Sequence, residues 1–450
     1  MAWAFALLLP AGVALAIVWR ATRGTRDRLA AAPAAVGIAL GLASVPWSAL
    51  LFSRVHSRGT LIALDLVAWA TVLAAGLALT RAPREVVEAP AAAGASRLMT
   101  AAAVTLLMVT GAAASLSFVA ASAVFPHGEW DAWAQWNLRA RFFFRGLADG
   151  SWRRAFAPVL AWSHPDYPPL VPASVARLWT YAGRETVWAP IAFAGIVAVC
   201  AVLAAGLSTA RSRGAARGCL AAAAVLACPS FVRYAASQCA DIALGFFMLA
   251  AFVAWSFADR QRLWLAVAGL SAALAAWTKN EGAAFFLVFI VVLAVERLWS
   301  AGWRGLKDLA PVLAGAAPIL VMVVVFKQTL APPSYFVAEQ SLGQAMASLV
   351  DASRARLLAS AMARELWLAG GTVVGVIPFL CVFAAVRGVR APAPAAARAA
   401  APAMAVMVAI YAIAYLVTPY DLAWQLKTSL DRVVVQIVPT LAWSIMTISQ

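Results

Sequence analysis

The sequence predicts an all-α polytopic membrane protein with about 13 transmembrane helices. Three observations carry that reading. Of 450 residues, 64% are hydrophobic and 12% charged, more apolar surface than a soluble core of this length can bury. Apolar runs of near-spanning length recur along the whole chain. The 35 Lys and Arg, against 19 Asp and Glu, sit between those runs. The net charge of +16 is therefore ascribed to topology and anionic headgroups, and nucleic-acid binding is excluded.

The runs fall at 1–19, 29–53, 60–80, 98–122, 186–208, 218–233, 239–258, 263–278, 283–298, 309–326, 366–386, 403–418 and 433–448. The first lacks a basic leader and a small-residue cleavage signal, and reads as a retained helix. The shorter runs fall below the roughly 20 residues that a bilayer requires. With the N-terminus outside, the inner loops collect Arg20, Arg23, Arg26, Arg28, Arg81, Arg84, Arg97, Arg211, Arg213, Arg217, Arg260, Arg262, Arg297, Arg304, Lys307, Arg387, Arg390 and Arg398. The short outer loops hold only Arg54, Arg58, Arg233, Lys279, Lys427 and Arg432, a positive-inside asymmetry. Residues 1–450 then form one membrane domain, with long extracytoplasmic loops at 125–185 and 327–365. The polar motifs all land on that outer face, whereas the inner loops carry mainly Arg, Ala and Gly.

The first long loop contains Trp130–Gly146, WDAWAQWNLRARFFFRG. At about 100° per residue, Trp130, Trp133, Trp136, Ala140, Phe143, Phe144 and Leu147 share one arc. Asp131, Gln135, Arg139, Arg141 and Arg145 lie opposite. Such a helix is expected to lie in the headgroup layer with its aromatic face down. Asp131 then serves either chemistry on a lipid-linked anion or the helix N-terminus alone. The segment 168–182, opened by Pro168 and Pro169, is expected to be a second interfacial helix.

Other motifs have two readings each. Lys279-Asn280-Glu281-Gly282, between short apolar runs, is either a polar hairpin turn or a site where Lys279 faces a phosphate and Glu281 orients it or a sugar hydroxyl. His127, Glu129 and Asp131 share a loop with His164, Asp166 and Tyr167; they are either loop anchors or ligands of a divalent metal, although the spacing matches no specific metal motif. Asp431 is a cap or a site residue, and Arg432 suits an anionic headgroup. Tyr420, Asp421, Trp424, Gln425 and Lys427 before them suit a sugar. Asp241, inside an apolar run, either is functional or snorkels. Cys200, Cys219, Cys228, Cys239 and Cys381 are odd in number and form no CxxC, against a disulfide framework or zinc site. Walker A, GxSxG and HExxH motifs are absent from the sequence.

This pattern resembles the GT-C membrane glycosyltransferases, such as protein O-mannosyltransferases and lipid A aminoarabinose transferases. The resemblance rests on the outer acidic loop, on His164–Leu170 (HPDYPPL) and on Thr278–Gly282 (TKNEG), in that order. Several spans precede the acidic loop here, where better-known members have one. The resemblance implies a polyprenyl-phosphate sugar donor and transfer to an acceptor hydroxyl of a lipid, glycan or protein at the outer face of the cytoplasmic membrane. It implies Asp131 or Glu129 as base. Lys279, Arg432, Arg139 and Arg141 would neutralise the leaving phosphate. His164, Asp166, Tyr167, Glu281 and Asp431 would contact substrate. A single base opposite the leaving group implies inversion. The sequence identifies no cofactor, and a divalent metal is compatible. The alternative is a transporter or flippase of lipid-linked saccharides, which would place polar residues near the bilayer midplane.

Overall fold

A chain this apolar satisfies its backbone in a bilayer only by closing hydrogen bonds within segments, and it does so as helices. The computed structural model describes residues 2–22, 27–55, 57–80, 96–334, 339–371, 373–389 and 393–450. Arg23, Arg26, Arg81, Arg84 and Arg390 of the predicted inner loops lie outside the described residues. Among the described residues the one β feature is an isolated bridge between Val389 and Ser449.

The helices are α1 (Ala2–Ala21), α2 (Asp27–Leu42), α3 (Ser44–Phe52), α4 (Arg58–Leu79), α5 (Arg97–Val124), α6 (Asn137–Arg145), α7 (Leu170–Ala182), α8 (Trp188–Arg213), α9 (Ala215–Leu226) and α10 (Pro229–Ala236). They continue with α11 (Ala240–Trp255), α12 (Leu263–Thr278), α13 (Asn280–Ala301), α14 (Leu309–Thr329), α15 (Leu342–Leu349), α16 (Ala352–Leu368), α17 (Val376–Arg387), α18 (Ala395–Leu416) and α19 (Leu422–Ile448). Among the described residues 8 helical segments are long and apolar enough to cross a membrane, or 9 if the bent pair α9–α10 counts as one. The protein is thus a polytopic helical membrane protein.

The expected number of spans is larger, and the shorter apolar helices account for part of the difference. The helices α11 and α12 are apolar but only 16 residues long. All of α11 is buried by protein, so its apolarity records packing in the bundle rather than contact with lipid. The run 280–329 counts as a single 50-residue segment by composition. Lys327 Nζ nevertheless donates to Asn280 Oδ1 at 2.7 Å, so the start of α13 meets the end of α14 and the run folds back as a hairpin.

Close packing at the centre depends on glycine. A Cβ on Gly282 would meet the Ala275 carbonyl oxygen at 1.8 Å, and one on Gly245 the Gln436 carbonyl oxygen at 2.7 Å. These contacts press α13 onto α12 and α11 onto α19. The helix α7 is expected at the interface, yet residues Leu170–Tyr181 are all buried. Arg177 explains how a charged helix can sit there. It donates to both Asp65 carboxylate oxygens, at 3.1 and 2.7 Å, while the Tyr181 hydroxyl donates to the same carboxylate at 2.7 Å. The pair and its hydrogen bonds close on themselves, which makes burial tolerable.

Among the described residues the two ends of the bundle carry different side chains. At one end the arginines grip helix termini. Arg213 donates to the Thr447 carbonyl at 2.5 Å, Arg217 to Ser449 at 2.7 Å and Arg387 to Gln450 at 3.0 Å. Arg211 pairs with Asp27 at 2.5 Å and Arg297 with Asp308 at 3.2 Å. The polar motifs lie at the opposite end.

Candidate functional site

At that opposite end a cavity of about 400 Å³ opens between α11, Lys279 and the start of α13, the end of α14, α18, α19 and the 125–185 segment. Six predicted site residues line it: Asp131, His164, Tyr167, Lys279, Glu281 and Arg432. They come from four separate stretches of chain, and each is delivered by a local device.

Asp131 precedes a π-helical turn, Ala132–Trp136. Such turns are rare and recur at functional sites. The wider turn also overturns the expected amphipathic helix. Rotation accumulated across it carries Trp136, Arg139 and Phe143 inward, where all three are buried. Trp130 and Trp133 stay exposed and stack edge to face at 4.5 Å. The segment therefore packs into the protein rather than lying flat with one wet face.

Asp131 forms an ion pair with Arg432 and accepts a long hydrogen bond, 3.4 Å, from Gln135. The Nε of Arg432 is buried without a hydrogen-bond partner. Deeper in, Lys279 Nζ lies 2.9 Å from Asp241 Oδ1 and 3.1 Å from Glu281 Oε1. Gln436 donates to the same Asp241 oxygen at 2.6 Å and accepts from the Tyr411 hydroxyl at 2.6 Å. The second oxygens of both carboxylates, and the amide oxygen of Gln425, are buried with no partner. Three acceptors and one donor thus remain unmatched at one cavity, a demand that a ligand rich in hydroxyl groups would meet.

His164 stands in the left-handed region, at φ 49°, an uncommon place for a residue with a side chain. Burial pushes its pKa below the ordinary 6.5, more than Asp166 raises it, so the imidazole is neutral at pH 7. Its neighbour Tyr167 stacks on Trp136 at 5.7 Å.

Five predicted residues lie elsewhere. Glu129 pairs with Arg233 at 3.1 Å. Arg141 pairs with Glu185 at 3.3 Å. Arg139 is fully buried behind the cavity and donates to the Tyr167 carbonyl at 2.7 Å. Desolvation lowers its pKa to about 10, which leaves it a cation at neutral pH. Asp166 is buried and accepts from Asn280 at 2.7 Å. Asp431 accepts from the Tyr234 hydroxyl at 2.5 Å and faces a different cavity. The mixed His and carboxylate metal site does not assemble: among the described residues no three such side chains converge.

Lys327, Tyr411, Tyr415 and Gln436 were not expected here. Lys327 bridges the Asp166 carbonyl at 2.6 Å and Asn280. Gln436 carried a legible signal, an amide within an apolar run. Tyr411 and Tyr415 carried none, because tyrosine is ordinary at membrane interfaces.

Comparison of the chain with protein-family models, with curated proteins and with solved structures finds no match.

Proposed function

We propose that the protein is an integral-membrane glycosyltransferase that moves a sugar from a polyprenyl-phosphate donor to an acceptor hydroxyl at the outer face of the cytoplasmic membrane. The observation that carries this reading is the cavity itself. It joins an arginine-paired carboxylate, Asp131, to buried acceptors of Asp241, Glu281 and Gln425 that lack donors. The resemblance in motif order supports the same reading.

The chemistry follows from the layout. The Asp131 carboxylate takes the acceptor hydroxyl proton as that oxygen bonds to the anomeric carbon. The bond from that carbon to the phosphate oxygen breaks, and its electron pair leaves with polyprenyl phosphate. Attack opposite the leaving group inverts the centre. Arg432 is the cation best placed for the phosphate, because its Nε is unmatched. A phosphate drawing Arg432 away would leave Asp131 more basic when the acceptor needs it. Lys279 is already committed to two carboxylates and is buried, so its role is to hold Asp241 and Glu281 toward sugar hydroxyls.

The test compares cells with wild type, Asp131→Asn or no protein, at matched expression. Envelope glycans and extracted polyprenyl lipids are read by mass spectrometry. The proposal expects the variant and the deletion to lose the same sugar and accumulate the same lipid-phosphate sugar. A variant that behaves as wild type while the deletion loses the glycan would overturn the role of Asp131. Movement of a labelled lipid-sugar across vesicles with no transfer product would establish the transporter instead.

A further inference from the structure

A second cavity, of about 580 Å³, lies on the other face of α19 and shares no lining residue with the first. Its walls are α16, the start of α10, the turn at Gly370 and Gly371, and Ala423, Leu426, Lys427, Leu430 and Asp431 of α19. None of these groups takes part in the transfer proposed above.

The lining is divided. Leu357, Ala361, Leu368, Leu426 and Leu430 make an apolar side. Arg364 and Lys427 stand exposed at the cavity, and neither meets an acceptor among the described residues. Arg233 also lines it but is spent on Glu129. Both acids of the lining have contacts of their own, and Glu365 also feels the Arg364 charge. Asp431 is engaged by Tyr234 at 2.5 Å. Glu365 keeps one carboxyl oxygen buried without a partner, and burial, then the Asp431 charge, raise its pKa.

We propose that this cavity binds an amphipathic phosphate ester, with the phosphate at Arg364 and Lys427 and the hydrocarbon chain along the leucine side. A free anion would leave the apolar side wet, and an uncharged lipid would leave both cations unmatched. The proposal is independent of the transfer reading, and its test has no activity readout.

The test uses the delipidated full chain in detergent, titrated with phosphatidic acid and with chain-matched phosphatidylcholine by native mass spectrometry. Phosphatidic acid is expected to bind roughly tenfold or more tightly, and R364Q/K427Q to lose that preference with an unchanged melting temperature. Arg387→Gln, at the far end, is expected to keep it. Equal binding of the two lipids, or an undiminished preference in the double variant, overturns the proposal. Inorganic phosphate is added as a competitor. If it displaces phosphatidic acid at concentrations that match the lipid's own affinity, the cavity is a free-anion site and the lipid assignment fails.

Discussion

The two ends of the bundle use the same side chains to opposite effect. At the arginine end, guanidiniums meet helix-terminal carbonyls and the carboxylates of Asp27 and Asp308, which ties α8, α17 and α19 together. At the cavity end, Asp131, Asp241, Glu281, Lys279 and Arg432 also pair, but around an opening, and Asp241, Glu281 and Gln425 each keep an unmatched oxygen. A polar network that closes on itself acts as a staple. One left short of donors holds latent affinity, because each buried group without a partner carries a standing cost that a ligand can remove.

That contrast can be tested by damage to either end. The largest effect is expected from Asp131→Asn, with transfer falling by roughly a hundredfold or more while the fold persists. Purified protein assayed for sugar transfer, with circular dichroism as control, checks both halves. Next is Lys279→Met, which leaves Asp241 and Glu281 buried without their shared cation. A loss of about 3–5 kcal/mol is expected, read as a lower denaturation midpoint in detergent. Gly282→Ala is smaller. Its methyl must push α12 from α13 against the Ala275 carbonyl, at about 1–3 kcal/mol. An unchanged midpoint would show that the helices yield there at no cost.

The pH dependence is smaller again. Burial holds the folded-state pKa of His164 below 6.5. Above that pH both states are neutral and His164 contributes nothing to the slope. As pH falls below 6.5 the unfolded chain takes up a proton that the folded chain resists, so stability declines until the lowered folded value is passed. His164→Gln should flatten stability across that window, measured by melting at several pH values. The smallest effect is expected from Arg387→Gln at the arginine end. It should leave transfer intact and shift the melting temperature little, because the side chain is exposed.

Much of this layout was legible in the sequence, for identifiable reasons. Apolar length reports helix, and among the described residues Arg211, Arg213, Arg217, Arg297 and Arg387 of the expected inner loops bind helix termini or Asp27 and Asp308, away from the cavity. The short motifs HPDYPPL and TKNEG, 114 residues apart at Asp166 and Asn280, do meet through one hydrogen bond. What failed did so where a periodic argument assumes one geometry. The wheel grouped Trp130 and Trp133 with Trp136 and Phe143 because it assumed a constant turn, and the π-helical residues Ala132–Trp136 break that constancy; Arg139, about 60° from Trp136 on the regular turn that follows, goes inward with it. Helices α11 and α12 are apolar but 16 residues long, so they stand outside the 8 segments of spanning length. Arg141 and Glu129 look available in sequence, where the distant partners Glu185 and Arg233 cannot be seen.

Helix α19 carries a further consequence. Asp431 faces one cavity and its neighbour Arg432 the other, about 100° apart around the axis. The phase of the helix is clamped farther along, where Gly245 admits the Gln436 backbone and Asp241 and Tyr411 hold its amide from two sides. An insertion of one residue between Asp421 and Asp431 would leave that clamp and the helix's hydrophobicity almost untouched. It would nonetheless rotate every residue before it by one step and reshuffle the groups presented to both compartments. The identity of both chambers is thus encoded by a count of residues as much as by their kinds.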